Sequence, residues 1–348
     1  MKKHVAVLAA AAAVASCGLA ATAVAAHQNA TVKVQAGMVS DIGGINDRSF
    51  NFLANRGLQQ AGAALKFKSA LRESHTAADY IPNIQRLVAQ KDNVVVTVGF
   101  LMGDATGKMA RRYPKTSFAI VDFSAKDKAT INGAKNVKGL LFKEQQAGYL
   151  AGYAAGLVEK QTSGVQGLNS QQIISAVGGQ KIPPVDHYIA GYKAGAQAAD
   201  PGINVLVAYS QDFIDQAKCS EQALAQIDQG SDIVFQVAGN CGLGALSAAK
   251  SRSVWGIGVD ANQGYLGPFV LTSAEKRVDV AVKKAITEVS KGTFKGGSDE
   301  TFELKNNGVA MSPLSTALPA ALRTQIQAQV DKVKADIIAG KVKIPTTV

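Results

Sequence analysis

Cysteine and histidine are scarce in this chain. There are three cysteines in 348 residues, Cys17, Cys219 and Cys241, and four histidines, His4, His27, His75 and His187. No histidine neighbours Cys219 or Cys241 in sequence, and no His/Cys/Asp/Glu set has metal-ligand spacing. No metal and no cofactor is therefore expected. Catalytic patterns are missing as well. There is no G-x-S-x-G elbow. The run Gly103–Met109 imitates a phosphate loop, but its glycine spacing is one short and Met109 stands where Ser or Thr is needed. No catalytic residue is nominated. The formal net charge is +11, yet the lysines are spread along the chain and never cluster with aromatics, which argues against a nucleic-acid partner. Beyond the N-terminus no apolar stretch approaches the ~18 residues that a membrane span requires.

What is present begins with a leader. Met1-Lys2-Lys3-His4 is basic, and Val5 to Ala15 is an apolar run too short to span a bilayer, the pattern of a secretory signal. Without Lys2 and Lys3 the charge falls to about +9. Two processing readings stand side by side. Val14-Ala15-Ser16-Cys17 resembles a lipobox, which would make Cys17 a lipidated N-terminus. Ala23-Val24-Ala25 is an A-x-A site for ordinary cleavage. The first places the protein on the outer face of the cell membrane by a lipid anchor; the second makes it secreted or periplasmic. Residues up to about Thr31 read as a tether. In an exported protein a bridge between Cys219 and Cys241 is expected, with two unpaired thiols as the alternative.

From Val32 onward strands and helices alternate. Val32 to Met38 reads as a strand, Asp41 to Asp47 as a glycine turn, and a helix follows from Ser49. Leu65–Leu71 alternates as a strand should, and Ala77–Gln90 has helical spacing. Val94–Phe100 is a continuous apolar run, the mark of a strand covered on both faces. Strands follow at Ser117–Asp122 and Val137–Phe142, with a long helix over Glu144–Glu159. The pattern then repeats with strands at Ile173, Ile203, Asp232, Val254, Phe269–Thr272 and Thr301–Lys305, helices over Val185–Ala199, Asp215–Gln229, Leu243–Ser251 and Lys276–Lys291, and an amphipathic helix over Pro319–Gly340. Crossovers this long imply parallel pairing. The fold class is α/β, with two doubly wound parallel-sheet lobes. The expected division is 1–30 leader and tether, 31–141 with 268–298 as the first lobe, 142–267 with 299–318 as the second, and 319–348 as a terminal helix and tail.

In such sheets ligands bind beyond the carboxyl ends of the strands. Asp41, Asp122, Gly239 and Asp260 fall there, and Phe50, Phe100 and Phe213 fall in the loops or helix starts that follow. If the two edges face each other, a flat ligand fits between rings from opposite lobes, with carboxylates accepting its N–H and O–H groups. Offset stacking is worth roughly 1 kcal/mol per face beyond burial. Taken singly, a phenylalanine at a helix start is core, an Asp after a strand is a cap, and Lys276 is a solvated helix lysine.

The run Asp41–Asn51, DIGGINDRSFN, resembles the opening motif of the basic membrane protein family of bacterial lipoproteins, which includes purine nucleoside receptors serving ABC transporters. VTVGFLMGDA, FAIVD, LLFKEQQAGYLAGYAAG, DIVFQVAGNCGLG, WGIGVD and LTSAEK are similar to further family segments in the family's order. The resemblance implies a type I solute-binding fold with three crossings between the lobes. It implies a purine nucleoside stacked between Phe50 and Phe213, its base read by Asp41, and Asp122, Gly239, Asp260 and Lys276 holding base or ribose. It implies a monomer that hands its ligand to a permease and performs no chemistry. The cysteine in the glycine loop, Cys241, departs from the family pattern, and Ile214 interrupts the motif around Phe213. A binding protein for sugars or other small molecules, a sensor for a membrane signalling partner, and a nucleoside hydrolase are the alternatives.

Overall fold

The computed structural model describes residues 33–161 and 164–348. The expected leader, Cys17, the A-x-A site and the tether lie outside the described residues. The first half of the chain builds β1 (Ala36–Val39), α1 (Phe50–Leu65), β2 (Ala70–Arg72), α2 (Tyr80–Ala89), β3 (Val94–Val98), α3 (Gly103–Arg112), β4 (Ser117–Val121) and β5 (Val137–Phe142). After α4 (Glu144–Glu159) come β6 (Ile173–Gly178), α5 (Pro183–Ala199), β7 (Asn204–Tyr209), α6 (Gln216–Asp228), β8 (Ile233–Val237), α7 (Gly239–Ser251), β9 (Trp255–Asp260) and β10 (Val270–Lys276). The chain ends with α8 (Val278–Ser290), β11 (Ser298–Phe302), β12 (Val309–Met311) and α9 (Ala320–Ile338).

Two sheets form, in the orders β2-β1-β3-β4-β5-β11 and β7-β6-β8-β9-β10-β12. Counted from β2 and β7, the first five strands of each follow the same order, so the duplication seen in the sequence is one of architecture. All pairings are parallel except β10 with β12. The apolar run over β3 is buried along its whole length, as a strand covered on both faces must be.

The sheets correct the expected division. β10 pairs with β9 and so belongs to the second lobe, whereas β11 pairs with β5 and belongs to the first. The helix between them, α8, packs on α1 in the first lobe. The chain thus crosses between lobes three times, at 142–144, 276–278 and 302–309. Local pattern cannot assign a strand to a sheet, because the partner lies far away in sequence. Strand lengths shift for the same reason. β10 runs on to Lys276 because Ala274 and Glu275 pair with both β9 and β12 and Lys276 pairs with Val309 of β12, so Lys276 ends a strand rather than opening a helix. The strand expected over 65–71 is only β2, because α1 continues to Leu65 and closes on Lys66, whose left-handed backbone returns its N–H to the Gly62 carbonyl. The strand expected over Thr301–Lys305 is β11, a few residues earlier, and β12 follows it as an addition.

α4 and α5 pack backbone to backbone. A Cβ on Gly152 would lie 1.9 Å from the Tyr192 carbonyl oxygen, and one on Gly195 would lie 2.1 Å from that of Tyr149. In the second lobe Cys219 of α6 is bonded to Cys241 of α7, with Cα atoms 5.5 Å apart. α9 rests on α4 through Ile326, Val330 and Ile337, which are buried as their spacing foretold.

The close helix contact makes a prediction. Gly152→Ala forces α4 and α5 apart and costs about 2–3 kcal/mol in chemical denaturation. Gly202→Ala, whose added carbon meets nothing nearer than 3.6 Å, stays within about 0.5 kcal/mol of wild type. Equal stabilities for the two variants would contradict this packing.

Candidate ligand-binding cleft

The carboxyl edges of the two sheets face one another across a cleft with about 560 Å³ of empty space, part of it open to solvent. The first lobe contributes Asp41, Phe50 and Asp122; the second contributes Phe213, Gly239 and Asp260; Lys276 enters from the end of β10 at a crossing. All the ligand-site candidates drawn from the sequence therefore line one cleft, and so does Phe100. The lobes are drawn together over it. The turn Ile45–Asp47 approaches α7 of the opposite lobe, and the Arg48 guanidinium lies 5.7 Å from the centre of the Tyr265 ring.

The Asp41–Asn51 segment is organised by a carboxylate within it. Asp47 accepts the N–H groups of Ser49 (3.0 Å), Asn51 (2.8 Å) and Phe52 (3.0 Å), which would otherwise be unsatisfied at the start of α1. Asp47, rather than Ser49, is therefore the working cap. It fixes the entry of α1, and Phe50 is the first residue of that helix. Asp41 accepts the Asn51 side-chain amide at 2.8 Å and the Gly43 N–H at 3.0 Å. Its other oxygen lies against Gly99, where an added Cβ would come within 2.5 Å and where φ is +110°. Only glycine suits that position.

The first lobe meets the second in an ionic knot. The Lys276 ammonium donates to Asp122 Oδ2 at 2.7 Å and to Glu144 Oε1 at 2.9 Å, with all three side chains almost completely buried. Tyr188 donates its hydroxyl to Asp260 Oδ1 at 3.2 Å. Burial works to discharge Lys276, but Asp122, Glu144 and Asp260 outweigh it and raise its pKa. Glu144 is held below its ordinary value: burial opposes its charge, and Lys276 and His187 overcome that opposition. Asp122 goes the other way. Burial raises it more than Lys276 lowers it, and the like charge of Glu144 adds to the rise. Asp260 is pushed up to about 7 by burial, with Lys276 opposing and Asp122 and Asp47 adding to the rise. Burial also raises Asp41, and it raises Asp47 to about 6. Asp122 Oδ1 is buried and, among the described residues, has no hydrogen-bond partner.

Asp122 and Asp260 share a second property. They follow or end β4 and β9, which hold the same place in their sheets, and both are left-handed, with φ of 65° and 61°. Each such residue costs roughly 1–3 kcal/mol, and that backbone turns both carboxylates at the same point beyond their strands.

On the second lobe the Phe213 loop is pinned from three sides. The Phe213 carbonyl accepts the Cys241 N–H at 3.1 Å. Its ring packs so closely on Gly179 that a Cβ there would lie 2.4 Å away. Asp212 accepts the N–H groups of Ile214 and Asp215, and Ile214, which broke the motif, simply faces solvent. The disulfide ties α6, which follows this loop, to α7.

Asn51, Asp47, Tyr188 and the Ile182–Val185 turn also line the cleft, and sequence reasoning missed them. Asn51 and Asp47 stood inside the opening motif, and the Ile182–Val185 turn follows β6 at the ligand edge. The same strand-end argument could have found all three. Tyr188 sits mid-helix and carried no signal.

The profile of a family described as ABC transporter substrate-binding protein, PnrA-like, matches residues 34–347. The chain is 34% identical over 335 residues to a protein of Lactococcus lactis subsp. cremoris named ABC transporter nucleoside-binding protein BmpA, covering 90% of this chain and 89% of the relative. It is 31% identical to basic membrane protein B of Borrelia garinii subsp. bavariensis, covering 82% of each. Among solved structures it resembles a solute-binding protein of an ABC transporter system from Aeropyrum pernix K1, with a TM-score of 0.77, 26% identity, and coverage of 90% of this chain and 93% of the other. The two-lobed α/β fold, the three crossings and the match along nearly the whole described chain agree: this protein belongs to the Bmp family of PnrA-like ABC transporter substrate-binding proteins.

Proposed function

We propose that the protein captures an uncharged nucleoside, of the purine class, between its lobes and presents it to an ABC permease without chemical change. The observation that carries this reading is the cleft's composition. Phe50 and Phe213 enter from opposite lobes, Asp41, Asp122 and Asp260 stand among them, and Lys276 is the one cation on the lining among the described residues. Rings above and below suit a flat base, and carboxylates suit its N–H groups and the ribose hydroxyls. A phosphate calls for several donors, whereas Lys276 is already engaged by two carboxylates. The name of the Lactococcus relative supports the ligand class. In this reading the chain acts as a monomer, and Cys17 carries a lipid that holds it at the outer face of the membrane.

A thermal-shift panel separates the ligand classes, because a specific ligand at a hundredfold excess over Kd stabilises the fold by about 2.7 kcal/mol. Purine nucleosides are expected to raise the melting temperature while sugars leave it unchanged. Phe50→Ala should weaken the nucleoside about 10- to 100-fold by calorimetry, through lost stacking and burial. Tighter binding of AMP than of adenosine or guanosine would defeat the reading.

Asp260 adds a pH dependence. Its folded pKa of about 7 exceeds the unfolded value of about 3.9, so the fold binds the extra proton. The stability this contributes is complete below about pH 4 and is lost as pH rises through about 7. Asp260→Asn removes that loss. The ligand-free variant should melt above wild type at pH 8, lose the advantage at pH 4, and bind nucleoside more weakly. A variant that melts below wild type at pH 8 would refute the assignment.

A further inference from the structure

We propose that Glu144, which does not itself line the cleft, positions Lys276, the one cation on the cleft lining among the described residues: it holds the Lys276 ammonium away from Asp122 Oδ1 and so leaves that oxygen free for ligand. The inference deepens the nucleoside reading and, in its affinity arm, rests on it.

The geometry is specific. Glu144 opens α4 just past the first crossing, Lys276 closes β10 just before the second, and Asp122 follows β4 in the first lobe. The ion trio therefore ties two crossings to the opposite sheet. Lys276 has three ammonium protons. One goes to Asp122 Oδ2 and one to Glu144 Oε1. The ammonium is also hemmed in by rings, with centres 4.8 Å (Phe142), 5.1 Å (Phe50) and 5.9 Å (Tyr188) from Nζ. The charged and titratable groups around it are Asp122 from β4, Glu144 from α4, Asp260 at the end of β9 and Tyr188 from α5. Glu144 is itself fixed from behind, because its second oxygen is bonded to His187 Nδ1 of α5 at 3.2 Å.

Charge decides what happens if Glu144 is lost. A buried ammonium with two carboxylates is shared between them. With Asp122 alone it is drawn fully onto that carboxylate and can donate to both of its oxygens. The acceptor left over for ligand, Asp122 Oδ1, is then taken by the protein's own lysine. Glu144 thus acts through Lys276 and Asp122 without touching the ligand.

Two readouts of Glu144→Gln test this. The first needs no ligand: nitrogen-15 NMR of the Lys276 ammonium, assigned with Lys276→Arg. Wild type should show a slowly exchanging signal held by two carboxylates, and the Gln variant should show that signal shifted or lost. The second is nucleoside affinity, expected to fall about tenfold or more in the Gln variant while its circular dichroism stays that of wild type. Should Glu144→Gln fail to fold, His187→Leu, which frees Glu144 from behind, should shift the same ammonium signal and weaken binding about threefold. An unchanged ammonium signal in a folded Gln variant, or in the Leu variant where Gln does not fold, overturns the proposal, as does unchanged affinity. If wild type binds no nucleoside, the functional reading fails, and the ammonium signal alone decides the role of Glu144.

Discussion

The structure depends on one buried ammonium. Lys276 sits between Asp122 and Glu144 where the chain passes from one lobe to the other. Removing three charges from water is expensive, and an ion pair rarely repays that cost outright. Here the charges stand in an arrangement that also has a mechanical consequence. Asp122 belongs to the first sheet, Lys276 to the second, and Glu144 to the helix that begins the second lobe. Holding the lysine holds the two sheet edges at a fixed separation. The cleft between them is the space this separation leaves.

The rest of the site is arranged around that charge in a pattern set by the fold. Because the inner strands of both sheets run in the same order, β4 and β9 present equivalent ends, and at each stands an aspartate with left-handed backbone, Asp122 just past β4 and Asp260 closing β9. The aromatic residues come from the loops instead. Phe50 is placed by the Asp47 cap, and Phe213 by its contacts with Gly179 and with the N–H of the disulfide-bonded Cys241. Strain, capping and a covalent bond together fix these positions, which suits a protein that must close on a ligand with little reorganisation. The excess of buried carboxylates has the opposite effect on the empty form. Asp41, Asp47, Asp122 and Asp260 are all raised by burial, so the cleft disfavours its own full ionisation until donors arrive.

Much of this was legible in the sequence where the cause is local. The apolar run at Val94, the glycine turn after Asp41 and the spacing of Ile326, Val330 and Ile337 each announce their element, because burial on both faces, backbone freedom and helical period leave marks within a few residues. The sides of the cleft were legible too, since a residue just past a strand must lie at the ligand edge wherever its sheet ends up. What stayed hidden is non-local. Lys276 read as a helix residue because nothing nearby reveals that it pairs with Val309 of β12, over thirty residues on. The exchange of β10 and β11 between lobes was invisible for the same reason. Glu144 and Tyr188 gave no sign at all, since an acid at a helix start and a tyrosine in a helix are ordinary until their partners, more than seventy residues away in the case of Tyr188 and Asp260, are brought beside them.

The most direct measurement is the identity of the molecule the protein carries. The purified protein should be denatured, and the small molecules it releases identified by mass spectrometry. The account predicts a neutral purine nucleoside in near-stoichiometric amount. A sugar, or a nucleotide carrying its phosphate, would contradict it, because neither matches a cleft lined by rings from both lobes, by four carboxylates and, among the described residues, by a single cation already bound by acids.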